Sequence, residues 1–292
     1  MPRSPLAFAA PAGLTLRGFT AGEGARTVVF TQGAGLTVES YLPALSGLFP
    51  QARVYGLNAR GHGGSDVPAA FADWHDAVDD LRAFCEQTFA TPVVLAGHSF
   101  GALVSLWLAA EAPRLAAGLL LLDPLVPHRR HEPWPPSGAG RDGELIARTL
   151  QRREIWPSLA EAGDGLRGRG VYAGWQPGPF AEFLASAFVA GPDGSARLCC
   201  PPWMEAAVYG GRPGKELFGW AAALRVPAVL LGGADTHIAR PEALQDLADA
   251  MPLATVLTVK GSHTFPQEHP QETAAALAYA LGQLAVPGRH PT

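Results

Sequence analysis

Short apolar runs recur along the chain, separated by stretches whose apolar residues fall every three or four positions. Residues 27–31 (TVVFT), 52–57 (ARVYGL), 93–96 (VVLA), 117–122 (AGLLLL), 228–231 (AVLL) and 254–259 (ATVLTV) show little polar alternation. Such runs are expected for strands covered on both faces. Between them, Trp74, Val78, Leu81 and Cys85 follow Asp73 as a plausible N-cap, which predicts a helix over 74–89. Leu244, Leu247, Ala248 and Met251 predict a second helix over 241–251, and an Ala/Leu-rich stretch over 271–284 predicts a closing one. Strands alternating with helices imply a mostly parallel central sheet with helices on both faces, because right-handed crossovers are nearly obligatory.

One stretch breaks the alternation. From about residue 127 to 214 the chain is rich in Pro, Gly, Arg and Trp, with helical pieces at 143–153 and 179–188 and no evident strand. A structureless loop of that length inside a compact domain is improbable. The expected organisation is therefore an α/β core from 1–126 and 216–292, interrupted by a helical cap over 127–215.

Composition narrows the class. Apolar residues make up 48% of the 292 and charged residues 16%, enough apolar material for a large core. The net charge of −4 with no basic block argues against nucleic acid as a partner. No window approaches 18 uninterrupted apolar residues, so no membrane span is expected. The N-terminal MPRSPLAFAAPAGL, broken by Pro5 and Pro11, makes a poor signal peptide. Cys85, Cys199 and Cys200 are odd in number and irregular in spacing, so they suggest no disulfide framework, and a cytoplasmic location is the expectation. With no CxxC or HExxH pattern, neither metal nor other cofactor is expected. The partner implied is a small molecule, met by a monomer or homodimer.

The chemistry centres on Gly97-His98-Ser99-Phe100-Gly101, between the strand at 93–96 and a helix over 102–110. Glycines flanking a serine at a strand-to-helix turn let the hydroxyl project from the C-terminal edge of the sheet. A serine at that position also suits a plain helix N-cap, a role compatible with catalysis. A serine hydroxyl needs a base beside it and a third group to orient the base. His263 follows the last strand in a short loop and is the expected base; His237, His98, His62 and His269 have structural readings. Asp235 and Asp123 both end strands at the same edge. Asp235 is favoured as the orienting acid, because strand 228–231 should adjoin the strand that leads to His263. The amides of Phe100 and of Ala34, in Gln32-Gly33-Ala34-Gly35, are the expected oxyanion donors.

Together, Gly97-x-Ser99-x-Gly101, Asn58-Ala59-Arg60-Gly61-His62-Gly63-Gly64-Ser65-Asp66, Gly232-Gly233-Ala234-Asp235 and Gly261-Ser262-His263 resemble the α/β-hydrolase superfamily. The resemblance spans both core halves but not the cap. It implies the α/β-hydrolase fold and a Ser99–His263–Asp235 triad. The chain departs from the family pattern at Gln32, where histidine usually precedes the oxyanion glycine. Serine at position 99, rather than aspartate, implies acyl transfer. Gln32, Trp134, Trp175 and Phe183 are expected to line a largely apolar substrate pocket, and Arg129, Arg130 and His131 read as a solvated basic turn. The expected activity is hydrolysis of small to medium apolar or aromatic carboxylic esters. The alternatives are C–C hydrolysis of dienoic keto acids, lactone hydrolysis or perhydrolysis, and a non-catalytic binding role, which would require a broken triad. Thr264 after His263, where C–C hydrolases often carry tryptophan, lowers the first of these.

Overall fold

The computed structural model describes residues 2–11, 13–71, 73–126, 141–211 and 216–284. Its strands are β1 (Arg3–Ala9), β2 (Thr15–Ala21), β3 (Arg26–Thr31), β4 (Ala52–Leu57), β5 (Val93–His98), β6 (Ala116–Leu122), β7 (Ile155–Trp156), β8 (Phe188–Ala190), β9 (Ala196–Leu198), β10 (Ala228–Gly233) and β11 (Ala254–Val259). The α-helices are α1 (Leu42–Leu45), α2 (His75–Thr88), α3 (Phe100–Glu111), α4 (Arg141–Leu150), α5 (Leu159–Leu166), α6 (Pro177–Ser186), α7 (Pro202–Gly210), α8 (Leu217–Ala223), α9 (Pro241–Ala250), α10 (Phe265–Glu268) and α11 (Pro270–Gln283).

Eight strands form the main sheet in the order β1-β2-β4-β3-β5-β6-β10-β11. From β4 to β11 all neighbours run parallel, whereas β1–β2 and β2–β4 are antiparallel. The apolar runs of β3 to β6 and β10 lie inside the sheet, where burial on both faces explains why they do not alternate; the run at 254–259 is β11, a partly buried edge strand. In β5, β6 and β10, Val93, Leu95, Leu119, Leu121, Ala228 and Leu230 enter one hydrophobic cluster. Their neighbours Val94, Ala96, Leu120, Leu122, Val229 and Leu231 enter the cluster on the opposite face. Helices α2, α3, α8 and α9 pack against one another on the first side; α1 and α11 meet on the second.

Residues 141–211 lie between β6 and β10. They hold helices α4 to α7 and a three-stranded antiparallel sheet in the order β7-β9-β8. The expectation of a strand-free insertion is therefore corrected. These strands have only two or three residues, too short for an apolar run to announce them. A turn signal was nonetheless present. Gly191-Pro192-Asp193-Gly194-Ser195 closes the β8–β9 hairpin, with Gly194 at φ +83° and Gly191 N–H donating to Ser195 O at 2.7 Å. The inserted segment also supplies Tyr172, Trp175, Phe180 and Phe183 to the same buried cluster as Val38, Leu45 and Leu48, so it shares its apolar packing with the core.

Candidate active site

Strand β5 ends at His98 and helix α3 starts at Phe100, which leaves Ser99 at the corner with φ 52° and ψ −112°. A side-chain-bearing residue in that region is strained by about 1–3 kcal/mol. Close packing around the corner sustains it. A Cβ on Gly97 would lie 2.3 Å from the Gly101 carbonyl, and one on Gly101 would lie 2.2 Å from Thr31 O. Both positions therefore need glycine for space, not for dihedral freedom. The Ser99 amide donates to Leu122 O at 2.9 Å and the Gly101 amide to Gln32 O at 3.1 Å, fastening the corner to the strand on either side.

His263 reaches this corner from the loop after β11. Its Nδ1 is 2.6 Å from Asp123 Oδ2, and its Nε2 is 3.1 Å from Ser99 Oγ. Because the carboxylate only accepts, the Nδ1 hydrogen points to Asp123 and Nε2 is left to accept the serine proton. Asp123 is buried and receives two further hydrogen bonds, from Gly233 N–H at 3.1 Å and from the Thr236 hydroxyl at 2.6 Å.

The expected pairing of His263 with Asp235 is corrected here. Strand β10 does adjoin β11, but β6 lies between β5 and β10, and the Ser99 amide bonds the last residue of β6. The residue immediately after β6, Asp123, therefore begins beside the serine. Asp235 lies beyond Gly233 and Ala234, with its amide donating to Gly261 O at 2.9 Å, and is exposed. His237 is also exposed, at the rim of the cavity described below.

The loop of residues 32–36 faces the same point. Gly33 N–H donates to the Tyr41 hydroxyl at 3.2 Å and Gly35 N–H to His62 Nε2 at 3.1 Å. Between them, Ala34 N–H donates to no acceptor among the described residues. Phe100 N–H, at the first position of α3, has no intrahelical acceptor either. Ala34, Phe100, Ser99 and His263 all line one cavity of about 500 Å³.

A buried histidine ties these parts together. His98 Nε2 lies 2.8 Å from the carbonyl oxygen of His263, and its Nδ1 lies 2.7 Å from the Tyr41 hydroxyl. The carbonyl only accepts, so Nε2 donates and Nδ1 receives the Tyr41 proton. The tyrosine oxygen in turn accepts from Gly33. Burial pushes the His98 pKa well down, and the neighbouring His263 adds to this, so the ring is held neutral as that pattern requires. On the other side of His263, the Glu268 carboxylate accepts from Ser262 N–H at 2.7 Å, from the Ser262 hydroxyl and from the Thr264 hydroxyl at 2.8 Å. Burial alone would raise the Glu268 pKa; these hydrogen bonds outweigh it and hold the group below its ordinary value.

Three of the residues expected to line the substrate pocket do not. Gln32 is fully buried beneath the loop, where Oε1 accepts from Ala59 N–H at 3.3 Å. Trp175 and Phe183 pack in the hydrophobic cluster under the inserted segment, 5.7 Å apart in a T-shaped pair. Large aromatic side chains went where they bury the most area. Trp134, with Arg129, Arg130 and His131, lies outside the described residues. The cavity wall instead includes Trp74, Leu125, Leu145, Val171 and Val208, with Arg152, Tyr172, Glu205 and Tyr209 as polar members. Arg152 and Glu205 form an ion pair, and the Tyr209 hydroxyl donates to Glu205 Oε1 at 3.1 Å. Burial would lower the Arg152 pKa, but the Glu205 carboxylate beside it raises it further. In the sequence these residues are isolated within a Pro/Gly-rich segment and carry no motif. Among the described residues no group of three or more His, Cys, Asp or Glu side chains could hold a metal. Cys85, Cys199 and Cys200 are buried and unpaired, and burial raises the pKa of each.

The sequence matches the alpha/beta hydrolase family over residues 28–276, and the chain belongs to that family. It is similar to the type I acyl-CoA thioesterase mpaH of Penicillium brevicompactum, with 36% identity over 153 residues, 47% of this chain and 34% of that protein. It is also similar to the (E)-2-((N-methylformamido)methylene)succinate hydrolase of Acinetobacter baylyi, with 31% identity over 105 residues, 36% of this chain and 40% of that one. The matches to the mpaH proteins span about a third of their length. Among solved structures, E-2-(acetamidomethylene)succinate hydrolase superposes with a TM-score of 0.80 at 21% identity, covering 96% of this chain and all of that one. The thioesterase domain from the curacin biosynthetic pathway gives 0.74 at 18% identity, covering 96% and 99%. The protein is thus an α/β hydrolase with a mostly parallel central sheet. Among the described residues no helix is long and apolar enough to cross a membrane.

Proposed function

We propose that the protein is a serine hydrolase that cleaves acyl esters through an acyl-enzyme. The observation that carries this reading is the continuous chain from Ser99 Oγ to His263 Nε2 at 3.1 Å and from His263 Nδ1 to Asp123 at 2.6 Å, opening into a cavity. Ser99 attacks the carbonyl carbon while His263 takes its proton. Asp123 keeps the imidazole in the required tautomer and offsets the positive charge it acquires. The amides of Ala34 and Phe100 receive the negative charge that develops on the carbonyl oxygen; each such donor typically supplies about 10²–10³ in rate. His263 then returns its proton to the leaving alkoxide, and the tetrahedral intermediate collapses to the acyl-enzyme. A water deprotonated by His263 attacks the acyl carbon, and His263 then returns that proton to Ser99 Oγ as the acid is released.

A thioester in place of an oxygen ester is a second reading, favoured by the resemblance to proteins named acyl-CoA thioesterases at 34–36% identity. The steps are the same, with a thiolate as leaving group. A fluorophosphonate probe should label Ser99. Paired oxygen esters and thioesters of one acyl series should be hydrolysed by the protein, and Ser99→Ala should abolish both labelling and turnover. Turnover that persists in Ser99→Ala would overturn the reading, and the ester-to-thioester ratio ranks the two substrate types.

A further inference from the structure

The cavity that opens on Ser99 is mostly apolar, yet one wall carries the guanidinium of Arg152. Of its five N–H donors, one is taken by Glu205, through Nη1, and one by the Tyr172 hydroxyl, from Nη2 at 3.3 Å. The remaining three donate to nothing among the described residues, although the side chain is only 26% exposed. Tyr172 is in a similar position. Its oxygen accepts from Arg152, and its own hydroxyl hydrogen has no acceptor among the described residues, at 5% exposure. Two adjacent donor groups thus reach a largely apolar cavity with hydrogens unspent, available to an acceptor on a bound ligand.

The charge around them decides what kind of acceptor fits. Glu205 lies against Arg152 and cancels its charge locally, and Glu268 contributes a second carboxylate to the cavity wall. A substrate carboxylate would meet a wall whose described Arg and Glu side chains, Arg152 against Glu205 and Glu268, sum to a negative charge. A neutral carbonyl oxygen meets no such penalty and offers two lone pairs to two donors. We infer that Arg152 and Tyr172 form a subsite for a neutral carbonyl oxygen, a ketone or amide, carried on the acyl chain of the substrate away from the scissile bond. This rests on the hydrolytic reading of Ser99 and names the substrate class within it.

The test uses p-nitrophenyl esters of pentanoic, hexanoic and heptanoic acids in three forms: unsubstituted, with a ketone at the penultimate carbon, and with a terminal carboxylate. At the best chain length, kcat/KM for the keto ester should exceed that for the unsubstituted ester by about tenfold or more, the worth of hydrogen bonds to a charged donor. The carboxylate ester should fall below the keto ester. In Arg152→Met/Glu205→Gln, which removes both charges together so that neither is left buried alone, the keto preference should shrink to near unity. Fluorophosphonate labelling of Ser99 reports that this variant keeps a folded site. A wild-type protein that hydrolyses the unsubstituted esters as well as the keto esters at every length overturns the subsite alone. So does a keto preference that survives in the labelled double variant, and so does a carboxylate ester that outruns the keto ester. Failure to hydrolyse any of these esters, together with failure to label Ser99, overturns the serine-hydrolase reading and the subsite with it.

Discussion

Ser99 holds a side chain where the backbone favours glycine, and the geometry explains what the strain is for: it aims Oγ at His263 rather than along the helix that follows. Ser99→Gly should therefore raise stability while removing the proposed nucleophile. The relief of strain is offset in part by the greater freedom of glycine in the unfolded chain, so a net gain of about 1 kcal/mol is expected in urea unfolding. A loss of stability would mean that the corner is not strained. The two aspartates make a sharper comparison. Asp123 is buried, shares Oδ2 with His263 and Thr236, and should lower kcat by about 10³–10⁴ when changed to Asn, because an amide no longer enforces the imidazole tautomer. Asp235→Asn, at an exposed position, should leave kcat within about twofold of the parent. Steady-state kinetics on one p-nitrophenyl ester decides the ranking, and the reverse order would return the acid to position 235.

At the scale of elements, the sequence was informative where strand-forming residues run together, even in β11, which is only partly buried at the sheet edge. Strands β3 to β6, β10 and β11 were readable because their runs are apolar. The five that lie inside the sheet, β3, β4, β5, β6 and β10, have side chains entering both buried clusters. Leu121, on β6 and fully buried, illustrates the energetic consequence: Leu121→Ala should cost about 2–5 kcal/mol of unfolding free energy, measured as a shift in the urea midpoint with an unchanged slope. Strands β1 and β2 escaped the same reading. In β2 the buried Leu16 and Phe19 interleave with exposed Arg17 and half-buried Thr20; β1 has no buried residue, and Pro5 sits in that edge strand, where a missing N–H does least harm. The site divided in the same way. Ser99, His263, Ala34 and Phe100 were legible because glycines and strand ends mark their loops. The choice between Asp123 and Asp235 depended on strand order, since both follow strands that neighbour each other in the sheet. Arg152 and Tyr172 had no local signal at all, because only the folding of residues 141–211 over the core brings them to the cavity.

Across the whole molecule, two buried histidines connect the geometry of the site to its stability. His98 bridges the His263 loop to Tyr41 and through it to Gly33; His62 receives the Gly35 amide and lies 3.0 Å from Arg60 O through Nδ1. Each has a ring nitrogen that must accept, so each needs the neutral ring. Burial lowers both pKa values, that of His98 well below the ordinary one. In the unfolded chain both titrate near the ordinary value of about 6.5. As the pH falls through about 6.5, the unfolded state therefore binds protons that the folded state refuses, and stability declines until the folded pKa values are reached. Above that window the two groups are neutral in both states and contribute no pH dependence. Each adds a slope approaching about 1.4 kcal/mol per pH unit below it. Unfolding free energies from urea titrations between pH 8 and pH 5 should be flat at the upper end, as far as these groups set them, and fall at the lower end. The decline for His98→Gln should be shallower by up to that slope, even if the variant starts from a lower stability, because the comparison is of slopes and not of absolute values. An unchanged slope in His98→Gln would mean that this ring is able to accept a proton in the folded protein, and the hydrogen-bond pattern linking the loop of residues 32–36 to His263 would then have to be redrawn.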